Sequence, residues 1–465
     1  MNTLYNFVCT VNSCLSDYVL ITLLVFTGLF FTIRTRFVQV RCLGKGFRDA
    51  FSHFSLHGAI GNSGLSSLQA LFTAIAAQVG TGNIVGASGA ILTGGPGAIF
   101  WMWLIAFLGM ATIYAEAVLA QETRVKLDEN TIHGGPTYYI KRAFPNLFGK
   151  CLAVFFAIAA ILSLGLIGCM VQANSIGEVC CNAFGVPTWS IGLVIAILSM
   201  LIFIGGLSRI AHVTEKLVPL MAVLYLVGGI ILLAIRIRFL PETFTLIFKY
   251  AFNPEALIGG SVGYALKTAV SQGVKRGLFS NEAGMGSTPH AHAMANVDSP
   301  HTQGIAAMVG VFIDTFVVLT MTALIVISTL YVGDGPLAGA NGSTYAQLLE
   351  SVGLQKTNLV QIAFATVSNA SVGNLFVAVC LVFFALSTIL SWNFFGKINF
   401  EYLFGRKYVV VYSACSIAFI FLGTMMKNDL VWELQDMFNQ LMVLPNVLAL
   451  IVLSAIVAAS ARKPQ

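Results

Sequence analysis

Apolar runs of about 20 residues, long enough to cross a bilayer as a helix, recur along most of this sequence. Only 9% of the 465 residues are charged, whereas a soluble domain carries about 25%. The sequence therefore predicts an all-α, multi-pass membrane protein that has the lipid bilayer as a partner and no nucleic acid. About eleven runs are predicted to be transmembrane helices: 18–33, 65–92, 97–120, 150–178, 189–206, 213–235, 257–287, 304–331, 372–392, 408–425 and 440–460.

The positions of the basic residues predict an orientation for these helices. If the N-terminus lies outside the cell, most of the 25 lysine and arginine residues fall in loops on the cytoplasmic side, such as 34–48 and 124–150. Short cytoplasmic loops carry this excess in membrane proteins. We therefore expect a protein of the cell (inner) membrane with its N-terminus outside and its C-terminus in the cytoplasm.

Two of the eleven runs are interrupted by glycine in matching places. Run 65–92 contains VGTGN at 79–83, and run 257–287 contains SQGVKRGLFSNEAGMGS at 271–287. When the first run is set aside, each of these two opens a set of five helices. Because five is odd, the two sets run in opposite directions through the membrane. Paired interruptions of this kind indicate a transporter site built from discontinuous helices.

This arrangement predicts how the chain is divided. Residues 1–64 are expected to form an N-terminal transmembrane helix and a cytoplasmic linker. Residues 65–235 and 236–465 are expected to form the two five-helix repeats of a single transport domain.

Polar residues beside the glycines of the first interruption predict a binding site. Unwound backbone in a membrane needs a ligand, an ion or a cavity to satisfy its N–H and C=O groups. The half-helix that begins near Thr81 presents N–H groups, which suit a carboxylate, and the half that ends near Val79 presents carbonyls, which suit Na⁺. Close helix packing is the alternative explanation for Gly86 and Gly89.

Seven segments carry a resemblance to a known family: QALFTAIAAQVGTGNIVG, GGPGAIFWMW, GMATIYAEAVLA, HGGPTYYI, VQANSIGE, GVKRGLFSNEAGMGSTPHAHA and GVFIDT. They resemble the alanine or glycine:cation symporter family, which includes the sodium:alanine symporters. The resemblance implies a LeuT-type fold, with a 5+5 inverted repeat preceded by one extra helix. It also implies entry of small neutral amino acids coupled to Na⁺, or in some members to H⁺.

The resemblance also implies which residues form the site. Some of the residue types involved have a common alternative role in membrane helices. Ser and Thr hydroxyls often bond to their own helix, and a tryptophan is often an interfacial anchor. The implied substrate contacts are Thr81, Gly82, Asn83, Gln172, Phe279 and Trp392. The implied Na⁺ ligands are the carbonyls of Ala76 and Val79 with the hydroxyls of Ser387 and Thr388.

Three further positions carry chemistry inside or beside the predicted helices. Asp314 is a candidate for ion coupling or protonation, although an ion pair with Lys267 or Arg276 is the preferred interpretation. Glu282 is expected to hold the lower half of the second interrupted helix, with Arg276 as one candidate partner. His290 and His292 are expected to cap a cytoplasmic loop, because no third metal ligand is spaced beside them.

No catalytic motif accompanies these residues, so the sequence predicts a transporter that is not an enzyme and has no cofactor apart from its coupling ion. The expected partners are alanine, glycine or a similar small amino acid and Na⁺, with H⁺ as the alternative ion. A channel-like pore is the rival from another class. Two inequivalent interruptions in one long chain favour a carrier with a single occluded site. The protein is expected to work as a monomer.

Overall fold

The computed structural model describes residues 2–52, 65–128, 131–253, 262–340, 342–426 and 428–462. Most of these residues are helical, since in lipid each backbone N–H and C=O must be paired within its own segment. In chain order the helices are α1 (Asn2–Cys14), α2 (Ile21–Arg34), α3 (Val38–Arg41), α4 (Leu43–Ser52), α5 (Ser67–Gln78), α6 (Ala87–Gly94), α7 (Ala98–Glu122), α8 (Pro136–Ala143), α9 (Leu147–Ala160), α10 (Cys169–Phe184), α11 (Thr188–Phe203), α12 (Gly206–Ile235), α13 (Leu240–Phe252), α14 (Val262–Asn281), α15 (Pro289–His292), α16 (Pro300–Val311), α17 (Thr320–Leu330), α18 (Gly342–Ser351), α19 (Leu359–Val367), α20 (Ala370–Phe404), α21 (Val409–Gly423), α22 (Asn428–Val452) and α23 (Ser454–Arg462).

Shorter elements join or continue these helices. Four wider π-helical turns lie at Leu15–Leu20, Gly82–Gly86, Ile161–Gly168 and Phe312–Leu319, and two 3₁₀ turns lie at Ile237–Phe239 and Arg406–Tyr408. Strand β1 (Leu65–Ser66) pairs in parallel with β4 (Ala295–Asn296), and β2 (Val125–Asp128) pairs antiparallel with β3 (Thr131–His133).

The number of membrane spans is smaller by a strict test than the eleven predicted. Eight described helices are long and apolar enough to cross a membrane, or nine if the bent pair α5 and α6 counts as one span. A helix occupies each of the eleven predicted runs, but α11 has only 16 residues and α14 carries Lys267, Lys275 and Arg276. The count of eleven is therefore not confirmed, and the division into repeats at residues 235 and 236 stays a prediction.

The first span is longer than the run 18–33 predicted for it. It extends from Tyr5 to Arg34, because the π-helical turn joins α1 directly to α2. The sequence analysis excluded the polar residues Asn12, Ser16 and Asp17, but all three have partners on other helices.

Two helix termini position the first interrupted helix. α5 starts with a reciprocal capping box, in which the side chain of Ser66 accepts from the N–H of Gln69 and the Gln69 side chain accepts from the N–H of Ser66. α20 runs unbroken for 35 residues from the side-chain cap of Asn369 to Gly405, which has the left-handed backbone (φ 79°) that glycine accepts. Helices α12, α14, α16 and α20 all contact α5.

Candidate functional site

The first interrupted helix breaks at the predicted place. α5 ends at Gln78, Val79 leaves the helical region (φ −81°, ψ 89°), and helical structure resumes at Gly82 with a bend of 42° between the two halves. The freed donors have partners within the protein: the N–H of Gly80 donates to Oδ1 of Asn83 at 2.9 Å. The N–H of Thr81 donates to Oε1 of Gln172 at 3.2 Å. The two N–H groups freed at the break are therefore paired with side-chain oxygens of the protein.

The four predicted cation ligands come together on the other side of the break. The hydroxyl of Thr388 donates to the carbonyl of Ala76 at 2.9 Å and lies 3.5 Å from the carbonyl oxygen of Val79. The hydroxyl of Ser387 lies 3.5 Å from the Ala76 carbonyl oxygen. Both hydroxyl oxygens also lie within hydrogen-bond distance of the Phe384 carbonyl oxygen in their own helix, at 2.8 Å from Ser387 and 3.1 Å from Thr388. The contacts with α5 that the resemblance implies are therefore present together with the contacts inside α20 that were the alternative.

The glycines of VGTGN serve close approach between helices. A Cβ on Gly80 would collide with the hydroxyl oxygen of Thr388. A Cβ on Gly82 would lie 3.0 Å from both the ring of Phe279 and the Cα of Ser280. Glycine at 80 and 82 thus lets α20 and α14 approach the broken backbone.

The predicted substrate contacts around Thr81 are fully enclosed. Thr81, Asn83 and Gln172 are buried, and the hydroxyl oxygen of Thr81 has no hydrogen-bond partner. The amide of Asn83 is fully occupied, since its oxygen accepts from Gly80 and its nitrogen donates to Asp314 at 2.6 Å. In this group, Thr81 and Gln172 are consequently the residues that can still form hydrogen bonds to a substrate.

Asp314 joins the two interrupted helices. Its carboxylate accepts from the hydroxyl of Ser280 at 3.0 Å and from that of Thr315 at 2.8 Å, in addition to the amide of Asn83. The expected ion pair with Lys267 or Arg276 was wrong. Those two cations lie on faces of α14 that point at the acidic groups of other helices, which are Asp17 and Asp436 respectively.

The second interrupted helix breaks near the end of the predicted segment 271–287. Gly273 and Gly277 lie inside α14, where a Cβ would press on Trp101 or Ile105 of α7, so these two glycines serve helix packing. The helix ends at Asn281, and Glu282 has a left-handed backbone (φ 59°) that is uncommon outside glycine. The interruption therefore lies in NEAGMG.

The partners of Glu282 do not include Arg276, the candidate named from the sequence. Its carboxylate accepts from the indole N–H of Trp392 and the hydroxyl of Ser287, and no contact with Arg276 is present among the described residues. Below it, Glu116 accepts from Asn446 and from the N–H of Gly284. These buried carboxylates hold the segment after the break against the bundle.

The two histidines of the PHAHA segment pack inside the protein. The ring of His290 lies between Phe156 and Phe395 and bonds to the Ser287 carbonyl and the Asn399 amide. His292 bonds to Gln303 at 2.8 Å. Burial lowers the pKa of His290 to about 4 and that of His292 to about 3, so both are neutral near pH 7.

Three aromatic rings line one side of the break. The ring of Phe279 lies 5.8 Å from that of Trp392, edge to face, and 4.9 Å from that of Trp432. Phe279 is also the ring that a Cβ on Gly82 would meet. The predicted substrate residue Phe279 thus adjoins the break, and Trp392 packs on Phe279. Trp432 packs on Phe279 as well and was not predicted from the sequence.

A cavity of about 520 Å³ lies beyond this aromatic layer. Its lining includes three cations and three anions, and Trp432 forms part of its wall. Arg276 stacks over the Trp432 ring at 4.9 Å and forms two hydrogen bonds to Asp436, at 2.9 and 3.1 Å. Lys275 contacts the same carboxylate at 2.8 Å. We call Arg276, Asp436 and Trp432 the closure. Arg276 and Trp432 line the cavity, and Phe279 packs between Trp432 and Gly82 of the break. The six charged lining residues are Lys275, Arg276, Lys356, Glu178, Asp429 and Glu433.

A sequence signal for the closure existed. Glu433 and Asp436 are acidic residues in WELQD, just before the predicted run 440–460, and ionisable groups at membrane depth are functional candidates. The predicted run began too late because these charges lower the local hydropathy, whereas α22 begins at Asn428.

Comparison with known proteins then decides the family. The family described as the sodium:alanine symporter family matches residues 1–463. The chain belongs to the sodium:alanine symporter family. Its members are transporters and not enzymes, which confirms the family and the class predicted from the sequence.

Named relatives cover almost the whole chain. The sodium/alanine symporter AgcS of Methanococcus maripaludis is 39% identical over 454 residues, which are 97% of this chain and 95% of that protein. The putative sodium/proton-dependent alanine carrier protein YrbD of Bacillus subtilis is 37% identical over 459 residues, which are 97% of this chain and 90% of that protein.

A solved structure supports the predicted architecture. The crystal structure of MhsT in complex with L-phenylalanine matches with a TM-score of 0.58 at 15% identity, over 86% of this chain and 98% of that one. At this identity the likeness concerns the fold alone. It confirms the LeuT-type fold, and with the family it makes this protein a cation-coupled amino-acid transporter of the membrane.

Proposed function

We propose that this protein carries a small neutral amino acid, alanine or glycine, into the cell together with Na⁺. The observation that carries the proposal is the convergence of two backbone carbonyls and two hydroxyls where α5 ends. Carbonyls at the end of a broken helix, completed by side-chain oxygens, are the kind of ligand set that coordinates Na⁺ in transporters. The proposed ligands are the carbonyl oxygens of Ala76 and Val79 and the hydroxyl oxygens of Ser387 and Thr388.

The proposed substrate position lies on the opposite end of the same unwound segment. The N–H groups of Thr81 and Gly82 would receive the amino-acid carboxylate at the positive end of the second half-helix. Gln172 would exchange its bond to the Thr81 N–H for a bond to the substrate. The cation and the carboxylate would then order one segment from its two ends, so binding of either favours binding of the other.

The aromatic layer supports a small side-chain pocket. Phe279 and Trp392 are buried and pack against each other, and Phe279 adjoins Gly82. The substrate side chain would then face rings that are already packed. Alanine appears in the names of both AgcS and YrbD. Glycine, with one methyl group less, fits the same space, and we propose that one chain suffices for transport.

Coupling to H⁺ is the second candidate, favoured by one observation. The carboxylate of Asp314 is fully buried between the two interrupted helices and is contacted by hydroxyl and amide groups, not by a cation. Such a group can carry a proton through a transport cycle. The name of YrbD includes both ions.

The distribution of basic residues supports an orientation with the N-terminus outside. In that orientation the cavity faces outward, and the closure separates the outside from the proposed substrate position. The protein would then lie in the inner membrane of the cell, with its C-terminus in the cytoplasm.

Uptake of radiolabelled alanine into proteoliposomes tests the proposal. We expect saturable uptake that collapses when external Na⁺ is replaced by choline. Uptake that ignores Na⁺ and follows a pH gradient would assign the coupling to H⁺. Uptake that neither saturates nor needs any ion gradient would indicate a pore. Radiolabelled glycine in the same preparation measures the preference between the two substrates.

A further inference from the structure

The helix that precedes the two repeats is joined to both sides of the closure by polar contacts. The helices involved are α1 with its following π-helical turn, α14 and α22. Their contacting side chains form stripes at helical spacing, and we call the set the polar seam. Its members are Asn12, Ser16 and Asp17; Lys267, Ser271 and Lys275; and Glu433, Asp436 and Gln440.

The contacts to α22 are short. Nδ2 of Asn12 donates to Oε2 of Glu433 at 2.6 Å and to the Glu433 carbonyl at 2.8 Å. One turn further along, the hydroxyl of Ser16 accepts from the amide of Gln440 at 2.8 Å. Asn12 is 2% exposed and Ser16 is 4% exposed, so both bonds are enclosed between the helices.

The contacts to α14 lie on the adjacent face. Asp17 accepts from Lys267 at 2.8 Å and from the hydroxyl of Ser271 at 2.7 Å. Lys275 lies one turn beyond Ser271 on the same stripe and reaches both Asp436 at 2.8 Å and Glu433 at 3.8 Å. Continuous contacts therefore run from Asn12 through Glu433 and Lys275 to the carboxylate of the closure.

Polar groups between membrane helices are costly unless they are paired, and anchorage in lipid needs only apolar side chains. A helix that served only as an anchor would not need Asn12, Ser16 and Asp17 on its buried side. The π-helical turn at Leu15–Leu20 includes Ser16 and Asp17, and such turns are frequent at functional sites.

We propose that contacts from the N-terminal helix stabilise the closure in its closed arrangement. Asn12 and Asp17 are positioning residues: Asn12 holds the Glu433 carboxylate beside Lys275, and Asp17 holds α14, so that Arg276 and Lys275 meet Asp436. Weakening either contact shifts the population toward a state in which the closure is open to the cavity. This inference rests on the proposed function for its role in transport, although its structural prediction can be tested without transport.

The test measures access to the enclosed side of the closure in intact cells. Thr81→Cys places a thiol where a hydroxyl is buried without a partner, in a background in which the nine native cysteines are replaced. The readout is the rate of modification by a membrane-impermeant thiol reagent. Gly89→Cys, at a residue that lines the cavity, reports that the reagent reaches the cavity in every variant.

Asn12→Ala and Asp17→Asn are expected to raise the rate at Thr81→Cys about fivefold, the effect of one lost net hydrogen bond. Neither should change the rate at Gly89→Cys. The matched control is Ser13→Ala on the same helix, because Ser13 is exposed and bonds only to the carbonyl of Thr10. The control should leave both rates unchanged.

A double variant identifies the route. If Asn12 acts through Glu433, Asn12→Ala combined with Glu433→Gln should have less than the sum of the two single effects. If Asn12→Ala reduces expression, Asp17→Asn carries the test, since it preserves side-chain shape. Unchanged rates at Thr81→Cys in well-expressed Asn12→Ala and Asp17→Asn would overturn the inference, as would an equal rise in Ser13→Ala. Altered rates at Thr81→Cys, together with no Na⁺-driven uptake by the parent protein that retains Thr81, would overturn the proposed function and leave this inference standing.

Discussion

The hydroxyl oxygen of Thr388 lies 2.9 Å from the carbonyl oxygen of Ala76, although the two residues are 312 positions apart in the sequence. Ala76 belongs to the last turn before the first interrupted helix breaks, and Thr388 to the continuous 35-residue helix α20. The bond joins the broken segment to a neighbouring helix that is not broken. An ion that took the place of this hydrogen bond would therefore control how the two elements meet.

Gln172→Ala should weaken alanine binding. The side chain is buried beside the break, where it accepts from the N–H of Thr81. In the proposed complex its amide bonds to the substrate instead, and the substitution removes that bond. We expect a cost of about 1–3 kcal/mol, which is about 5- to 150-fold in Kd. Calorimetric binding of alanine to the purified protein measures it. Asn182→Ala, at an exposed amide outside the break, is the control. Equal Kd values for Gln172→Ala and the parent would exclude a role at the substrate.

Alanine substitution of the glycines at the break should act by different routes. Gly80→Ala collides with the Thr388 hydroxyl and should abolish Na⁺-dependent uptake. Gly82→Ala presses on Phe279 and the backbone of Ser280, so we expect a loss of about 1–3 kcal/mol in stability as well as reduced uptake. Gly89→Ala is the control, because its Cβ would lie 3.7 Å from the nearest atom. Melting temperature and uptake are measured on one preparation, and full transport by Gly80→Ala would contradict the cation site.

Trp392 should determine the size of the accepted side chain. Trp392→Ala removes a buried ring beside Phe279 and should let leucine inhibit alanine uptake, which we do not expect in the parent. Trp392→Phe retains an aromatic ring and loses the N–H that donates to Glu282. It should therefore lower stability while still excluding leucine. Strong inhibition of the parent by leucine would refute the small pocket.

His290 should make stability depend on pH. Its pKa is lowered by burial to about 4, while in the unfolded chain the imidazole takes up a proton below about 6.5. The unfolded state therefore binds more protons between these values, and the contribution of His290 falls by about 1.4 kcal/mol per unit as the pH falls. The difference in melting temperature between the parent and His290→Gln should change over this interval. His212→Gln, at an exposed site, should follow the parent, and parallel profiles for His290→Gln would contradict the assignment.

Local chemistry explains what the sequence could reveal. The break at VGTGN was predictable, because glycines beside Thr81 and Asn83 in an apolar run conflict with a continuous helix. The second break lies within the predicted segment 271–287, but its position there was not predictable, since Gly273 and Gly277 look the same in sequence whether they interrupt a helix or pack against α7. The left-handed residue that ends α14 is Glu282, and a glutamate gives no such signal.

The partners of the charged residues could not be predicted from the sequence, for a related reason. Asp314 and Arg276 lie at plausible depths for an ion pair, but pairing depends on which faces of the helices meet. The true partner of Arg276 is Asp436, 160 residues away on α22. The contacts of the N-terminal helix were missed likewise, because its polar residues shortened the predicted span.

The most direct test of the cation site is the melting temperature of the purified protein as Na⁺ replaces choline at constant ionic strength, for the parent and for Thr388→Val. Valine preserves the shape of threonine and removes the hydroxyl. A ligand that binds the native state raises the melting temperature as its concentration rises. We predict that Na⁺ raises that of the parent in a saturable way, and more so when alanine is present, and that Thr388→Val shows neither effect. An equal response to Na⁺ in both proteins would contradict a cation site at Thr388 and the end of α5.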